Sequence, residues 1–331
     1  MVNMLRSLIP QSLTRKPTIL VTETALADMT LEVLENPNIE TAWGLVGFYF
    51  GDGETVIVSN VVRPDQAEVA RQVARTNLGG DLQVQALNWL TANYQLIKTH
   101  RGVTTEAKYG FLFKGHSHHQ LGFSGYSSTD FASLVESVEK DGLVVSIGPL
   151  ANIKEHKHSV SSIRGSAGGV HVDIRHQVDF TFYYLSKKML DAGQRVAMTV
   201  HPTVIKATDV FMPVPELGWQ FIRRAEYLEQ LRHLHAYGCT VNVVTRDAKA
   251  GPPLEVQFVV TKPGIWRGSL SIVTDSNFPN SSPTFEVLVP SGHSKVAFIW
   301  TNSPEKNSGD LWYKGEDLIE AVFRLEARGE L

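Results

Sequence analysis

The sequence predicts a two-domain chain in which an α/β domain precedes a smaller α+β domain. At 331 residues the chain is longer than one typical domain. Helix-like and strand-like segments alternate through its first part, whereas a helix, a run of strand candidates and a final helix make up the second. Pro202, Pro213 and Pro215 interrupt the pattern between them, so we place the domains at 1–205 and 206–331.

The elements of the first domain follow from local pattern. Apolar residues recur at helical spacing around 26–34, and "TAWGLVGFYFGDGETVIVSNVV" indicates two strands joined by the turn Gly51-Asp52-Gly53. A helix is predicted around 82–96. "YGFLFKGHSHH" predicts a strand that runs into a polar loop, a helix then begins near Thr129, and the unbroken apolar run "LVVSIGPL" predicts a buried strand.

The second domain is predicted to be an antiparallel meander between two helices. Apolar residues from Trp219 to Leu234 predict the first helix, which ends near Gly238, and those from Leu318 to Leu325 predict the last. The strand candidates between them lie at 240–246, 254–261, 267–274, 284–289 and 295–300.

Composition excludes several classes of partner. The formal charge of −3 provides no basic surface for nucleic acid or for an anionic membrane. No window approaches the length of a membrane-spanning segment, and the short apolar run near the N-terminus breaks at Pro10, too early for a secretory signal. The single cysteine, Cys239, excludes an internal disulfide and fits a reducing compartment. We therefore expect a cytoplasmic protein.

The stretch "GHSHHQLGFSGYSSTD", residues 115–130, concentrates side chains that bind metals. His116 and His118 stand at the predicted end of a strand, where two imidazoles converge on one ion if the backbone leaves regular pleating. Asp130 stands at a predicted helix start, where the chain can fold back and supply a carboxylate. Two imidazoles and one carboxylate suit Zn²⁺ and leave a fourth position open, which indicates catalysis.

A structural interpretation of the same residues stays open. Ser127, Ser128 and Asp130 come just before an amphipathic helix, and each is a good N-cap residue. The second histidine pair, His156 and His158, is flanked by lysines that disfavour a divalent cation, so it indicates a solvated loop.

The motif as a whole resembles the JAMM signature of the JAB/MPN metalloprotease family. In that signature "HSH" and a gap are followed by "SxxD" ahead of a helix, as they are here. The family also has a glutamate far upstream, before a glycine-bearing apolar strand, and "IETAWGLVGFYFGDGE" supplies Glu40 at that place. The resemblance covers roughly residues 20–190 and implies a JAB/MPN-type mixed β-sheet flanked by helices.

The resemblance also implies a role for each matching residue. His116, His118 and Asp130 are implied to bind zinc. Glu40 is implied to hold and deprotonate the metal-bound water and then to pass the proton to the leaving amine. Ser127 is implied to donate a hydrogen bond to the oxyanion of the tetrahedral intermediate.

Two positions depart from the family pattern. His119 stands where the family usually has proline, and it is an alternative metal ligand, although its side chain should point away from that of its neighbour His118. The gap between His118 and Ser127 is one residue longer than in the common form, which leaves Ser128 as the alternative oxyanion donor.

The second domain resembles the ubiquitin-conjugating-enzyme/RWD superfamily over roughly residues 216–331. Pro263-Gly264 ends a strand, Trp266-Arg267-Gly268 opens the next, and Phe278-Pro279 precedes a third, all in the rhythm of that fold. Residues 280–331 contain no cysteine for a thioester, and Cys239 comes before the meander. The resemblance therefore implies an inactive binding or positioning module, with an unrelated α+β domain as the alternative.

Together the two resemblances imply a zinc-dependent JAMM isopeptidase that cleaves after the C-terminus of a ubiquitin-like protein. Its expected partners are that protein or its conjugates and enzymes of the conjugation pathway. The fusion resembles proteins of bacterial ubiquitin-like conjugation systems, some of them linked to antiphage defence. Two alternatives remain: a non-catalytic scaffold, and a hydrolase of the JAB type acting on small sulfur-carrier adducts.

Overall fold

The computed structural model describes most of the chain, namely residues 16–64, 71–72, 75–76, 80–118, 125–155, 176–248, 251–290, 295–301 and 311–331. Two compact units account for it. The first comprises Met1–Asn88 and Thr104–Val214, and the second comprises Trp89–Val103 and Pro215–Leu331. The sequence-predicted domains are contiguous segments, whereas the second structural unit also includes the segment Trp89–Val103 from the first half of the chain.

Most of the described helices lie at positions that apolar periodicity indicates; the short helix at 187–191 is not predicted, and the helix predicted from Trp219 to Leu234 is divided after Ile222. In chain order they are α1 (Glu23–Glu35), α2 (Gly80–His100), α3 (Ser128–Glu139), α4 (Lys187–Asp191), α5 (Trp219–Ile222), α6 (Arg224–Ala236) and α7 (Leu318–Ala327). Residues 80–88 of α2 belong to the first unit and its remaining turns to the second. A 3₁₀ turn, Ala207–Asp209, precedes Pro215, where the last segment of the second unit begins.

Eight of the described strands form one mixed sheet in the first unit. They are β1 (Thr18–Thr22), β2 (Ala42–Phe50), β3 (Thr55–Val62), β6 (Lys108–His118), β7 (Val145–Glu155), β8 (His176–Ser186), β9 (Met198–Val200) and β10 (Thr203–Ile205). The order across the sheet is β10-β1-β3-β2-β6-β7-β8-β9. β1 runs parallel to β3 and β10, and β6 runs parallel to β7, while the remaining pairs are antiparallel. A separate two-stranded ribbon pairs β4 (Arg71–Gln72) with β5 (Arg75–Thr76).

The large sheet is strongly curled. β9 and β10 occupy its opposite edges, yet only His201 and Pro202 separate Val200 from Thr203. Three peptide units span at most about 11 Å, so the two edges must approach one another. The apolar face inside this curl, with α1 and α3 packed on the sheet, buries Trp43, Leu45, Leu134 and Phe182.

The second unit is an antiparallel meander with helices. β11 (Thr240–Arg246), β12 (Glu255–Thr261), β13 (Ser269–Thr274), β14 (Thr284–Pro290) and β15 (Lys295–Thr301) pair in sequence order. The described core of this unit includes Trp219 from α5, Leu234 from α6, and Leu318 and Leu325 from α7. Trp89 of α2 also belongs to it. Among the described residues, no helix has both the length and the apolarity needed to cross a membrane.

Candidate metal centre

The candidate metal centre lies where the start of β2 meets the end of β6. These strands are antiparallel, and Ala42 pairs with His116. Glu40 stands two residues before Ala42, in the irregular segment that leaves α1, so strand pairing brings its carboxylate beside the histidines although 76 residues separate Glu40 from His116 in the chain. One ligand atom from each of Glu40, His116 and His118 lies within 4.8 Å of the other two.

A β-bulge sets the register that places His116 at this point. Leu45 pairs with Phe113 while its neighbour Val46 pairs with Phe111, so Leu112 is an extra residue in β6. Phe113 adopts a φ of 121°, a left-handed value that is unusual for a large side chain. The extra residue shifts all later pairings by one, and it is the reason that His116 rather than Gly115 lies opposite Ala42.

The two histidines converge as the sequence predicts. They alternate with Ser117 along β6 and therefore share one face of the strand. Their Nε2 atoms lie 3.2 Å apart, and their ring centroids lie 5.0 Å apart. Both rings are only partly exposed. This arrangement directs two potential ligand atoms toward one point.

Asp130 joins the pair from the N-terminus of α3. One of its carboxylate oxygens, Oδ1, lies 3.5 Å from Nε2 of His116, and the other, Oδ2, lies 3.9 Å from Nε2 of His118. Burial alone would raise the pKa of Asp130, but the hydrogen bond and charge of His116 and the hydrogen bonds from Ser127 lower it below its ordinary value. The carboxylate is therefore ionised and available to a cation.

Ser127 and Asp130 form the N-terminal cap of α3, as the structural interpretation of these residues expects. Ser127 is the N-cap of α3 and accepts a hydrogen bond from the Asp130 amide at 3.2 Å. In return Asp130 Oδ2 accepts from the Ser127 amide at 2.8 Å and from its hydroxyl at 2.7 Å. This capping box occupies Oδ2 and leaves Oδ1 directed at His116. Ser128, the alternative oxyanion donor, begins α3 with an exposed side chain.

Glu40 is half-buried, and its carboxyl group is harder to ionise than usual. Burial raises its pKa, the charge of His116 opposes that rise, and the charge of Asp130 adds to it. A carboxyl group whose pKa is moved toward neutrality is suited to general acid–base chemistry.

Two further groups contact the histidines or the strand that carries them. The ring of Tyr126 lies 5.2 Å from that of His116 and stacks on Tyr183 at 4.0 Å, centroid to centroid. Ser117 is fully buried between the two histidines and bonds to the backbone of Thr41, next to Glu40. The central position of Ser117 in "HSH" is a signal for the second contact, whereas an aromatic residue in a polar loop gives none for the first.

The donor set fits zinc. Ligand atoms in a tetrahedral zinc site lie about 3.3–3.6 Å from one another. The two histidine Nε2 atoms lie 3.2 Å apart, and Asp130 Oδ1 lies 3.5 Å from Nε2 of His116, while the Asp130 oxygen that lies 3.9 Å from Nε2 of His118 is Oδ2, which the capping box holds. Two nitrogens and one carboxylate oxygen leave a further position for water or substrate, with the Glu40 carboxylate beside it. His119, His156 and His158 lie outside the described residues.

Cys239 lies far along the chain from this centre and has a different environment. Its side chain is 5% exposed, between α6 and β11. Burial raises the pKa of its thiol, while the charge of Lys262 lowers it and that of Glu326 raises it. A buried, protonated thiol is a poor nucleophile.

Comparisons with known proteins assign no family. No protein-family model matches the chain, and no curated protein does. Among solved structures, the solution structure of a protein from Desulfitobacterium hafniense is similar over 57% of this chain and 94% of its own, with 13% identity and a TM-score of 0.31. A score at that level does not establish a common fold, so the geometry of the centre must support any functional conclusion.

Proposed function

We propose that this protein is a zinc-dependent isopeptidase of the JAMM type that cleaves after the C-terminus of ubiquitin or a ubiquitin-like protein. The observation that carries the proposal is the convergence of Nε2 of His116 and His118 with the Asp130 carboxylate, beside a Glu40 carboxyl of raised pKa. The JAMM signature contains a glutamate, two histidines and an aspartate in this same chain order.

Each residue of the centre has a distinct task in this proposal. His116, His118 and Asp130 hold the metal, and zinc, when bound, polarises the scissile carbonyl and makes water easier to deprotonate. Glu40 takes the proton from the attacking water and delivers it to the amine that leaves. Ser127, or Ser128 in its place, donates a hydrogen bond to the oxygen on which negative charge develops.

The end of β6 offers a place for an extended substrate tail. The described pairing of β6 with β7 runs from His116 and Leu150 to His118 and Asn152, and β7 is described as far as Glu155. Among the described strands, none pairs with that side of β7 beyond Asn152. A C-terminal tail that adds to this edge presents its backbone next to the histidines, the usual mode of strand addition. Ubiquitin-like proteins, which end in a flexible tail, fit this requirement.

For the second unit we propose an inactive conjugating-enzyme-like module that binds or positions a partner. Its helices flank a meander of five consecutive antiparallel strands, in keeping with the ubiquitin-conjugating-enzyme/RWD resemblance. The buried Cys239 precedes the first of these strands and is a poor candidate for a thioester. A bacterial ubiquitin-like conjugation system is the setting that joins these two units in one chain.

The test measures zinc content and cleavage of ubiquitin, or of a small sulfur-carrier protein, fused through its C-terminal glycine to a reporter. We expect one zinc per wild-type chain, retained in Glu40→Gln and lost in His118→Ala. Cleavage by Glu40→Gln should fall by at least about 100-fold, because the isosteric amide cannot accept the proton.

Three results would count against the proposal in different ways. A wild-type chain without stoichiometric zinc excludes the metalloprotease. Zinc binding with tight capture of the fusion but no cleavage favours the scaffold. Cleavage confined to sulfur-carrier fusions favours the JAB hydrolase of small adducts.

A further inference from the structure

A buried acidic side chain lies beneath the segment that carries Glu40. Glu32 of α1 is fully buried, although charged side chains are almost never buried without partners. Its Oε1 accepts a hydrogen bond from the Thr41 hydroxyl and another from Nδ2 of Asn36 at 3.1 Å. Its Oε2 accepts a hydrogen bond at 2.9 Å from Nε of Arg63, the residue that directly follows β3. The carboxylate thus joins three separate pieces of the chain.

Thr41 transmits this anchorage to the histidine strand. It is fully buried and follows Glu40 directly, in backbone that is neither helix nor strand. Its amide donates to the Ser117 hydroxyl at 3.0 Å, and its carbonyl accepts from the Ser117 amide at 2.8 Å. Ser117 stands between His116 and His118, so one chain of contacts runs from Glu32 to both sides of the centre.

The Thr41 hydroxyl is the group that connects the Thr41–Ser117 contacts to Glu32 of α1. Without it, the backbone bonds between Thr41 and Ser117 remain, but nothing among these contacts ties Thr41 to α1. An irregular segment has no ladder of its own to hold a catalytic side chain, and displacement of a reacting group by about 1 Å can cost roughly 100-fold in rate. A firm support beneath Thr41 therefore matters more than it would inside β2.

We propose that Glu32 is a positioning residue for the candidate metal centre, acting through Thr41 on Glu40 and through Ser117 on the two histidines. The inference rests on the proposed function, because it assigns Glu32 to the support of that same centre. Glu32 touches neither substrate nor metal. Its role is to keep the Glu40–Thr41 segment in register with the end of β6.

The experiment compares Thr41→Val, which removes only the hydroxyl link, with Thr41→Ser, which keeps it. In the zinc-free protein we expect the Ser117 amide to exchange with deuterium about tenfold faster in Thr41→Val. The amides of Phe48 and Val58, in the neighbouring strands, should not change. In the zinc-loaded protein, kcat for the reporter fusion should fall at least about tenfold with KM within about twofold. Thr41→Ser should match the wild type in every measurement.

Glu32→Gln is the second variant if Thr41→Val does not fold, because the amide keeps the shape and the Thr41 bond but removes the charge that holds Arg63. Its effects should have the same direction and a smaller size. Ser117 exchange within about twofold of wild type in both variants overturns the proposal. Equal acceleration at Phe48 and Val58 also overturns it, since that pattern indicates general loss of stability. A wild type that binds zinc but cleaves no fusion refutes the proposed function, while the exchange pattern still tests the support by Glu32.

Discussion

Close packing around His116 depends on a residue with no side chain. A Cβ at Gly148 of β7 would lie 1.9 Å from the hydroxyl oxygen of Tyr126, a distance that no side chain tolerates. The bare backbone of Gly148 therefore makes room for the phenol ring that flanks His116. The orientation of a candidate metal ligand is set here by shape, in addition to any hydrogen bond.

Gly148→Ala tests this close approach. The added methyl group must displace Tyr126, so we expect a loss of about 1–3 kcal/mol in the free energy of unfolding and weaker zinc binding. Gly110→Ala in β6 is the matched control, since a Cβ there meets nothing within 4 Å. Denaturant unfolding and chelator competition measure the two effects.

Removing the clashing oxygen should partly reverse the damage. In the double variant Gly148→Ala with Tyr126→Phe, the nearest atom to the new methyl group is gone, so stability and zinc affinity should both rise above those of Gly148→Ala alone. A double variant no better than the single one would show that Tyr126 does not determine the effect.

At the scale of single elements, the N-terminus of α3 combines a helix cap with a residue of the candidate metal centre. Its capping box satisfies amides that the helix itself cannot bond, and the same aspartate faces His116. An acidic group at a helix N-terminus is also stabilised by the helix dipole. One side chain therefore caps the helix and faces the histidines, so Asp130 can belong both to the cap and to the candidate metal centre.

Ser127→Ala removes both the helix cap and the proposed oxyanion donor, and stability and turnover report the two losses separately. Loss of the cap should lower the free energy of unfolding by about 1 kcal/mol, and loss of the oxyanion donor should lower kcat by about 100-fold. Ser128→Ala is the control, because the capping bonds come from Ser127. If turnover falls in Ser128→Ala and not in Ser127→Ala, the oxyanion donor is Ser128.

At the scale of the whole chain, the second unit includes a segment of α2 that lies more than 100 residues before the rest of that unit. Trp89 of α2 lies in its core, and its indole N–H donates to the Glu216 carbonyl at 3.1 Å. Asn93 is fully buried and accepts a hydrogen bond from the Leu254 amide at 2.7 Å through its Oδ1. A segment from early in the chain thus completes a core formed mainly by its last third.

A fragment cut at the sequence-predicted boundary, 206–331, should therefore unfold without cooperativity. It lacks Trp89 and Asn93 and leaves part of an apolar core exposed. Calorimetry and binding of a hydrophobic dye measure this, and a cooperative transition in the fragment would contradict it.

Single substitutions in the full chain give the complementary measurement. Trp89→Ala should cost about 3–5 kcal/mol, as for other large core side chains. Val84→Ala, on the same helix at a side chain that is 58% exposed, should change the free energy of unfolding by at most about 0.5 kcal/mol.

Local sequence pattern predicts many of the elements, although not β1, β9, β10 or α4, and it predicts few of the residues that support the centre. The Gly51-Asp52-Gly53 turn joins β2 to β3, and the strand ending in His118 and the helix after Ser127 form as their patterns indicate. Tyr126, Gly148, Thr41 and Glu32 had no such signal. Their roles arise from contacts between residues far apart in sequence, and periodicity reports only which face of an element is apolar.

The types and order of the candidate ligands can be read from the chain itself, because an imidazole pair at a spacing of two and a capped aspartate are local features. Alternation along β6 alone predicts that His116 and His118 share a face. Tertiary structure alone determines the distance of the histidines from Glu40 and the bulge at Leu112. It also determines that Trp89 belongs to the core of the second unit. The physical reason is that strand register and core membership depend on pairing energies summed over distant segments, which no short stretch of sequence contains.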